Sequence, residues 1–191
     1  MTMRNPLKDR KALSQTVTTM ILLVIPVMLS GGVAMYAYQL ISSEIQIEIV
    51  TISKQHIWIF DNGSSYAALE IDNIGGRDVL VDKIEVRGVE APWSTIYYYK
   101  TTLIITDLLN CPQNGNQDWT NFEYTPGKIA NFTQASSYIL IPSGYTIAIY
   151  IKDPDNLTVN DVGRAVSITI YTGNAQYQVI CYAQSKASND Q

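Results

Sequence analysis

The sequence predicts one long hydrophobic α-helix at the N-terminus followed by an all-β antiparallel sandwich. Three observations predict it. From Ala12 through Ser43 the chain carries no Asp, Glu, Lys, Arg or His. Beyond that run, apolar and polar residues alternate with a period of two in one short stretch after another. Between the stretches stand clusters of Gly, Pro, Asn and Asp that turn the chain, and no amphipathic helical pattern interrupts them.

The helix comes first. As helix, the uncharged run would extend about 48 Å at roughly 1.5 Å per residue, against a hydrocarbon core of about 30 Å. Arg4, Lys8, Arg10 and Lys11 precede it with only Asp9 opposing them, and Glu44 and Glu48 follow it. Basic residues stay on the cytoplasmic side, so the N-terminus is expected inside and everything after Ser43 outside. Three fates are open to such a segment. A secretion signal would be cut after the apolar stretch, near Gly32-Val33-Ala34. A plain anchor would remain whole, and a leader cut before the apolar stretch would leave the helix in the finished protein. Within the run, Gly31 and Gly32, with Ser30 and Ala34 beside them, suit close helix–helix approach. Thr16, Thr18 and Thr19 can return their hydroxyls to preceding carbonyls. Pro26 removes one helix hydrogen bond and is expected to bend or locally melt the helix.

After Ser43 the period changes. "EIQIEIVTI" alternates Glu44, Gln46 and Glu48 with Ile45, Ile47 and Ile49, the pattern of a half-buried strand. "HIWIF", "YAALEID", "RDVLVDKIEVRG", "IYYYKTTLIIT", "SYILIP", "YTIAIYIKD", "AVSITIYTG" and "QYQVICYAQ" repeat that texture. Turns are expected at Asp61-Asn62-Gly63, Asn73-Ile74-Gly75-Gly76, Pro142-Ser143-Gly144, Asp153-Pro154-Asp155-Asn156 and Gly173-Asn174, the last inside a hairpin, "TGNAQY". About nine short antiparallel strands of this kind suit an immunoglobulin-like sandwich. The expected organisation is a leader over 1–12, a hydrophobic helix over 13–43, a β head domain over 44–184 and a polar tail over 185–191.

One region departs from the pattern. Asn110 to Ser137 is polar, rich in Asn and Gln, and longer than an ordinary connection. Its Trp119, Phe122 and Tyr124 either cover the sandwich edge or meet a partner or glycan. Cys111 opens the region and Cys181 lies 70 residues further on. In an exported chain the two are expected to pair, a cross-link worth roughly 4 kcal/mol in the chain-entropy account.

The remaining chemistry is sparse. A net charge of −4 on 191 residues argues against nucleic acid, which needs a basic face. Asn62, Asn131 and Asn156 each begin an N-x-S/T sequon in an expected loop. Asp153, Asp155, Asn156 and Asp161 fit no calcium-loop spacing, and no metal or cofactor is expected. His56, the single histidine, sits on an apolar strand and reads as structural. Without a second histidine there is no nucleophile–base pair to propose, so an enzyme is not expected.

The basic cluster ending Arg10-Lys11-Ala12, followed by Leu13-Ser14-Gln15 and the apolar run, resembles the class III leader of archaeal type IV pilins and archaellins. In that family a prepilin peptidase cuts on the cytoplasmic side, before the apolar segment. The resemblance places the cut at Lys11, Ala12 and Leu13, between Ala12 and Leu13, and makes Gln15 the third mature residue, where many archaeal pilins carry glutamine. The family more often has glycine before the cut. "LEIDNIGGRDVLVDKIEVRG" and the stretch from "IPSGYTIAIYIKD" to "QVICYA" likewise resemble the β-domains of these subunits. What the resemblance implies is a filament subunit, inserted in the membrane before assembly and then polymerising with identical copies through its helix. Gln15, Leu23, Pro26, Val27, Gly31 and Gly32 would lie in the filament core. Its implied partners are the prepilin peptidase, an assembly ATPase and a membrane platform, and its sequons would carry glycan. "LSQTVTT" lacks the acidic residue and alanine-rich run of archaellins, which favours an adhesion-type pilus over a motility filament. A membrane-anchored or secreted binding domain sharing the same leader is the competing reading.

Overall fold

The structure, a computed structural model, describes residues 6–44, 47–114 and 117–187. The chain divides into two compact units, with the boundary between residues 45 and 46.

The first unit is a single helix, α1 (Pro6–Glu44), 39 residues long. It begins seven residues before the expected Leu13. Leu7, Lys8, Arg10, Lys11 and Ala12 are good helix formers, and Pro6 stands in the first turn, where its missing N–H costs nothing. The helix passes through Pro26 without interruption, so the expected local melting does not occur. Over Gln15–Ser42 it is long and apolar enough to cross a membrane.

The second unit is built on twelve strands: β1 (Val50–Phe60), β2 (Ser65–Asn73), β3 (Val79–Val86), β4 (Val89–Glu90), β5 (Ile96–Thr101), β6 (Phe122–Thr125), β7 (Lys128–Ala130), β8 (Thr133–Gln134), β9 (Ile139–Ile141), β10 (Thr146–Lys152), β11 (Ala165–Thr172) and β12 (Gln176–Lys186). Ten of them hydrogen-bond in the order β4-β3-β11-β12-β1-β2-β10-β5-β8, with β9 on β3. The pairs are antiparallel except β1 with β12, which run parallel with Ile57 opposite Ala183. The sheet folds onto itself as a sandwich. Ile57, Leu69, Ile147 and Ile149 from one half meet Val81, Ile84, Ile168 and Ile170 from the other in one inner core. Each such isoleucine, fully buried, stabilises the fold by about 1.5–3 kcal/mol.

Two expected strands are redrawn. "EIQIEIVTI" contributes only its end: α1 runs through Glu44, Ile45 and Gln46 lie outside the described residues, and Val50 opens a longer β1 that also takes in "HIWIF". A bulge between Ser53 and His56, with Lys54 at φ 52°, shifts the register where the two predicted pieces join. β5 stops at Thr101, so Leu103 to Thr106 of "IYYYKTTLIIT" leave the sheet. The hairpin expected at "TGNAQY" forms, with the Thr172 N–H donating to the Ala175 carbonyl at 2.9 Å.

The long polar region is structured. It forms the β6–β7 hairpin and lays Phe122, Tyr124, Ala130 and Phe132 on the outer face of the sheet, against Trp58, Tyr66, Ala68, Ala148 and Tyr150. This is a second hydrophobic core. Phe132 packs edge-on or tilted to Tyr99, Trp119, Phe122, Tyr124 and Tyr150 at centroid distances of 5.4–5.9 Å. Trp119 stacks flat on Tyr97 at 4.3 Å. Phe122 and Tyr124 are buried and Trp119 half-buried, so of the two readings open to them it is the covering of the sheet that the structure shows: their faces are spent there rather than offered to a partner or glycan.

Candidate functional site

Every described side chain of α1 from Gln15 to Ile41 is exposed, Leu23 at 69% and Val27 at 63%. Its apolar residues run round the whole circumference and leave no polar stripe. A helix of that kind needs an apolar surrounding, either lipid or other helices. Two of its hydroxyls are satisfied within the helix. Thr19 Oγ1 donates to the Gln15 and Thr16 carbonyls at 3.1 and 2.9 Å, and Ser30 Oγ to the Val27 carbonyl at 2.9 Å. Around Gly31 and Gly32 a Cβ would meet nothing within 4 Å, so both leave open room beside the helix. Lys11, Ala12 and Leu13 lie within the continuous backbone of α1.

The cysteines do not pair. Both are free thiols, half-buried on opposite faces of the sheet: Cys181 packs against the inner core and Cys111 against the outer aromatic one. The expected disulfide is therefore corrected. Residues 179, 181 and 183 of β12 all face inward, whereas Cys111 begins the segment that crosses the outside. Burial pushes the Cys111 thiol up to about 12 and Cys181 to about 11, so neither is a ready thiolate.

The three sequons differ. In the β1–β2 turn, Asn62 Oδ1 accepts from the Ser64 N–H and hydroxyl at 3.1 and 2.8 Å, while its amide donates to Asn114. Asn131, between β7 and β8, is exposed. Asn156 is half-buried; its Nδ2 donates to the Arg87 carbonyl at 3.2 Å, and its sequon partner Thr158 is tied to Asp161 at 2.9 Å. Asn62 and Asn131 are thus exposed, and Asn156 is the least accessible of the three.

Several ionisable groups tie the fold together. Asp161 accepts from the Thr158 N–H and hydroxyl and pairs with Arg87 at 2.8 Å, and these hold its carboxyl below the usual range. Asp153 Oδ1 takes the Ser65 N–H at 2.9 Å, tying together two turns at one end of the sandwich. His56 stacks on Trp58 at 5.2 Å and burial lowers its pKa, which keeps the ring neutral. Lys54 pairs with the buried Glu70 and donates to the Ile105 carbonyl. Among the described residues no group of three or more His, Cys, Asp or Glu side chains could hold a metal ion.

A groove of about 510 Å³ opens beside Cys111, lined by Phe60, Asn110, Gln113, Gln117, Asn121 and Lys186 among others. Its amides are largely committed within the protein: Asn110 Nδ2 donates to the Glu123 carbonyl and Gln117 Oε1 accepts from the Gln113 N–H. Sequence reasoning missed both this groove and the second core. One signal was legible: "FEYTPGKIA" alternates apolar residues around a Pro-Gly turn.

No protein-family model matches the chain, and no curated protein matches it.

Proposed function

We propose that the protein is the structural subunit of an archaeal type IV filament of adhesion type. Leader removal between Ala12 and Leu13 leaves α1 in the mature chain, where it rests in the bilayer and then polymerises with identical copies. The observation that carries this reading is a 28-residue span, Gln15–Ser42, apolar on all sides and exposed along its length, joined to a β-sandwich by only a few residues. A retained helix keeps its backbone hydrogen bonds internal whether lipid or sibling helices surround it, so transfer from membrane to filament uncovers no polar group. The open sides at Gly31 and Gly32 favour close approach of a second helix.

The reading assigns no enzymatic role and no cofactor to the chain. A prepilin peptidase, an assembly ATPase and a membrane platform act on it. The β-domain forms the filament's outer surface, with glycan at Asn62 and Asn131 ahead of Asn156. N-terminal sequencing of the native protein tests it together with electron microscopy of shed surface material: a chain starting at Leu13 within filaments supports it. A start at Met35 or at Met1, without filaments, overturns it.

The groove beside Cys111 favours a second reading, a membrane-anchored binding domain. A glycan array probed with the detergent-solubilised full chain distinguishes the two, since bound sugar without filaments selects the second.

A further inference from the structure

The two ends of the sandwich differ in chemistry. At one end lie the β1–β2 turn, Asp61-Asn62-Gly63-Ser64, and the start of the β10–β11 connection, Asp153-Pro154-Asp155-Asn156. Both are polar, a sequon lies in the first and another begins in the second, and exposed valines stand nearby, Val89 in β4 and Val159 and Val162 in the β10–β11 connection. The opposite end is where the chain enters the domain, at Ile47. There the backbone of Ile49 accepts from the N–H groups of Ile74 and Gly75, and Asn73 donates to the Tyr145 carbonyl. Thr101 faces Thr146, which brings the end of β5 to the same rim. Around the entry stand Ile47, Ile49, Ile74, Leu103, Ile104 and Tyr145, all exposed, with Ile104 at 79% and Leu103 at 70%. Glu48, the acidic residue between the first two, is turned away to Thr172 and Asn174 at 2.5 and 2.9 Å. A groove of about 280 Å³ runs between Ile74, Ile104 and Tyr145.

This rim is held tightly to the entry strand. A Cβ on Gly75 would come within 2.4 Å of the Ile47 carbonyl oxygen and 2.6 Å of the Ile49 nitrogen, a backbone contact that only glycine permits. Ile74 is thereby fixed beside Ile47 and Ile49.

We infer that this apolar rim docks on the lipid surface, seating the β-domain at the interface of the membrane that holds α1. The inference rests on the reading of α1 as a retained membrane span. Ser42 ends the apolar span and Ile47 opens the domain five residues later. However the intervening residues are folded, five residues reach at most about 17 Å, two to three times the headgroup layer of roughly 5–7 Å beyond the hydrocarbon core. The rim bearing Ile47 is therefore tethered within reach of the bilayer surface, and its large aliphatic side chains with one tyrosine have the composition that partitions there. Water at that position would leave six large apolar side chains exposed together at the end of the domain nearest lipid. Assembly into a filament would release the rim from the membrane along with the helix.

Photo-cross-linking of the full chain in phosphatidylcholine vesicles tests this. Ile104→p-benzoylphenylalanine reports on the rim, with Leu103→p-benzoylphenylalanine as a second reporter. Val159→p-benzoylphenylalanine reports on the opposite end, and the same substitution at Leu23 reports on the helix. Lipid adducts by intact mass at 104 or 103 and at 23, with none at 159, are expected. Adducts at 23 but at neither rim site overturn the rim contact and leave the membrane span standing. Equal adducts at 159 overturn it as random collision. A cross-linked dimer at 104 without lipid assigns the rim to a second copy and overturns it too. No adduct at 23 removes the span, and the rim inference falls with it.

Discussion

The ammonium of Lys54 meets the carboxylate of Glu70 at 2.5 Å, where Glu70 is only 2% exposed. Burial pushes the Glu70 carboxyl up, and Lys54 pulls against that shift from a bulge that aims it under the outer core. The pair also anchors the crossing segment, because Lys54 donates to the Ile105 carbonyl. Removing one partner leaves a buried charge. Lys54→Met is expected to cost about 3–5 kcal/mol by urea denaturation, and Lys54→Met with Glu70→Leu to recover most of it. In the single variant the lowering by Lys54 is gone, and burial with the nearby Asp72 raises Glu70 against only a hydrogen bond from Ser53. Its folded pKa then exceeds its unfolded one, so stability is retained at low pH and lost as pH rises through the folded value. A loss that is the same at pH 4.5 and pH 7.5 would contradict this.

The outer aromatic cluster is expected to behave as a true core. Phe132→Ala removes a ring that touches five others and should cost about 3–5 kcal/mol, with loss of near-ultraviolet circular dichroism. A cost under about 1 kcal/mol would mean that the hairpin sits on the sheet loosely.

Thiol chemistry gives a direct measurement. Non-reducing intact mass should show both cysteines free, and iodoacetamide at pH 8 should label them slowly in the folded chain and quickly in denaturant. A mass lower by two hydrogens, restored by reductant, would establish the cross-link that the structure lacks.

Asp161 provides an acid-sensitive clamp. Hydrogen bonds from Thr158, then Arg87, lower its pKa in the folded chain. The stability it contributes is thus present above its unfolded value, about 3.8, and disappears as pH falls through the lower folded value. Asp161→Asn should therefore destabilise the domain at pH 6 and make little difference near pH 2. An equal effect at both would sink this account.

Much of the architecture was legible because it depends on local order. The absence of charge from Ala12 to Ser43 commits that segment to an apolar surrounding whatever else the chain does. Period-two alternation in "AVSITIYTG" and "QYQVICYAQ" marks β11 and β12, and "GNA" closes the hairpin between them. Even the second core left a trace: "YAAL" and "IAIYI" are apolar on both faces, and a strand of that kind must be covered twice. Only the tertiary structure decided what does the covering. Phe122 and Tyr124 lie 54 to 58 residues from the Tyr66 and Ala68 that they help to bury, too far apart for any local pattern to join them. The same holds for Cys111 and Cys181, whose separation in sequence says nothing about parity. A residue's face on a strand flips with every step, and that parity turned Cys181 of β12 inward, whereas Cys111 lies in the segment that crosses the outer face. Composition and period determined a greasy rod and a β-domain; long-range packing determined which faces were closed and which apolar rim stayed open, because burial is settled by the segments that happen to meet in space.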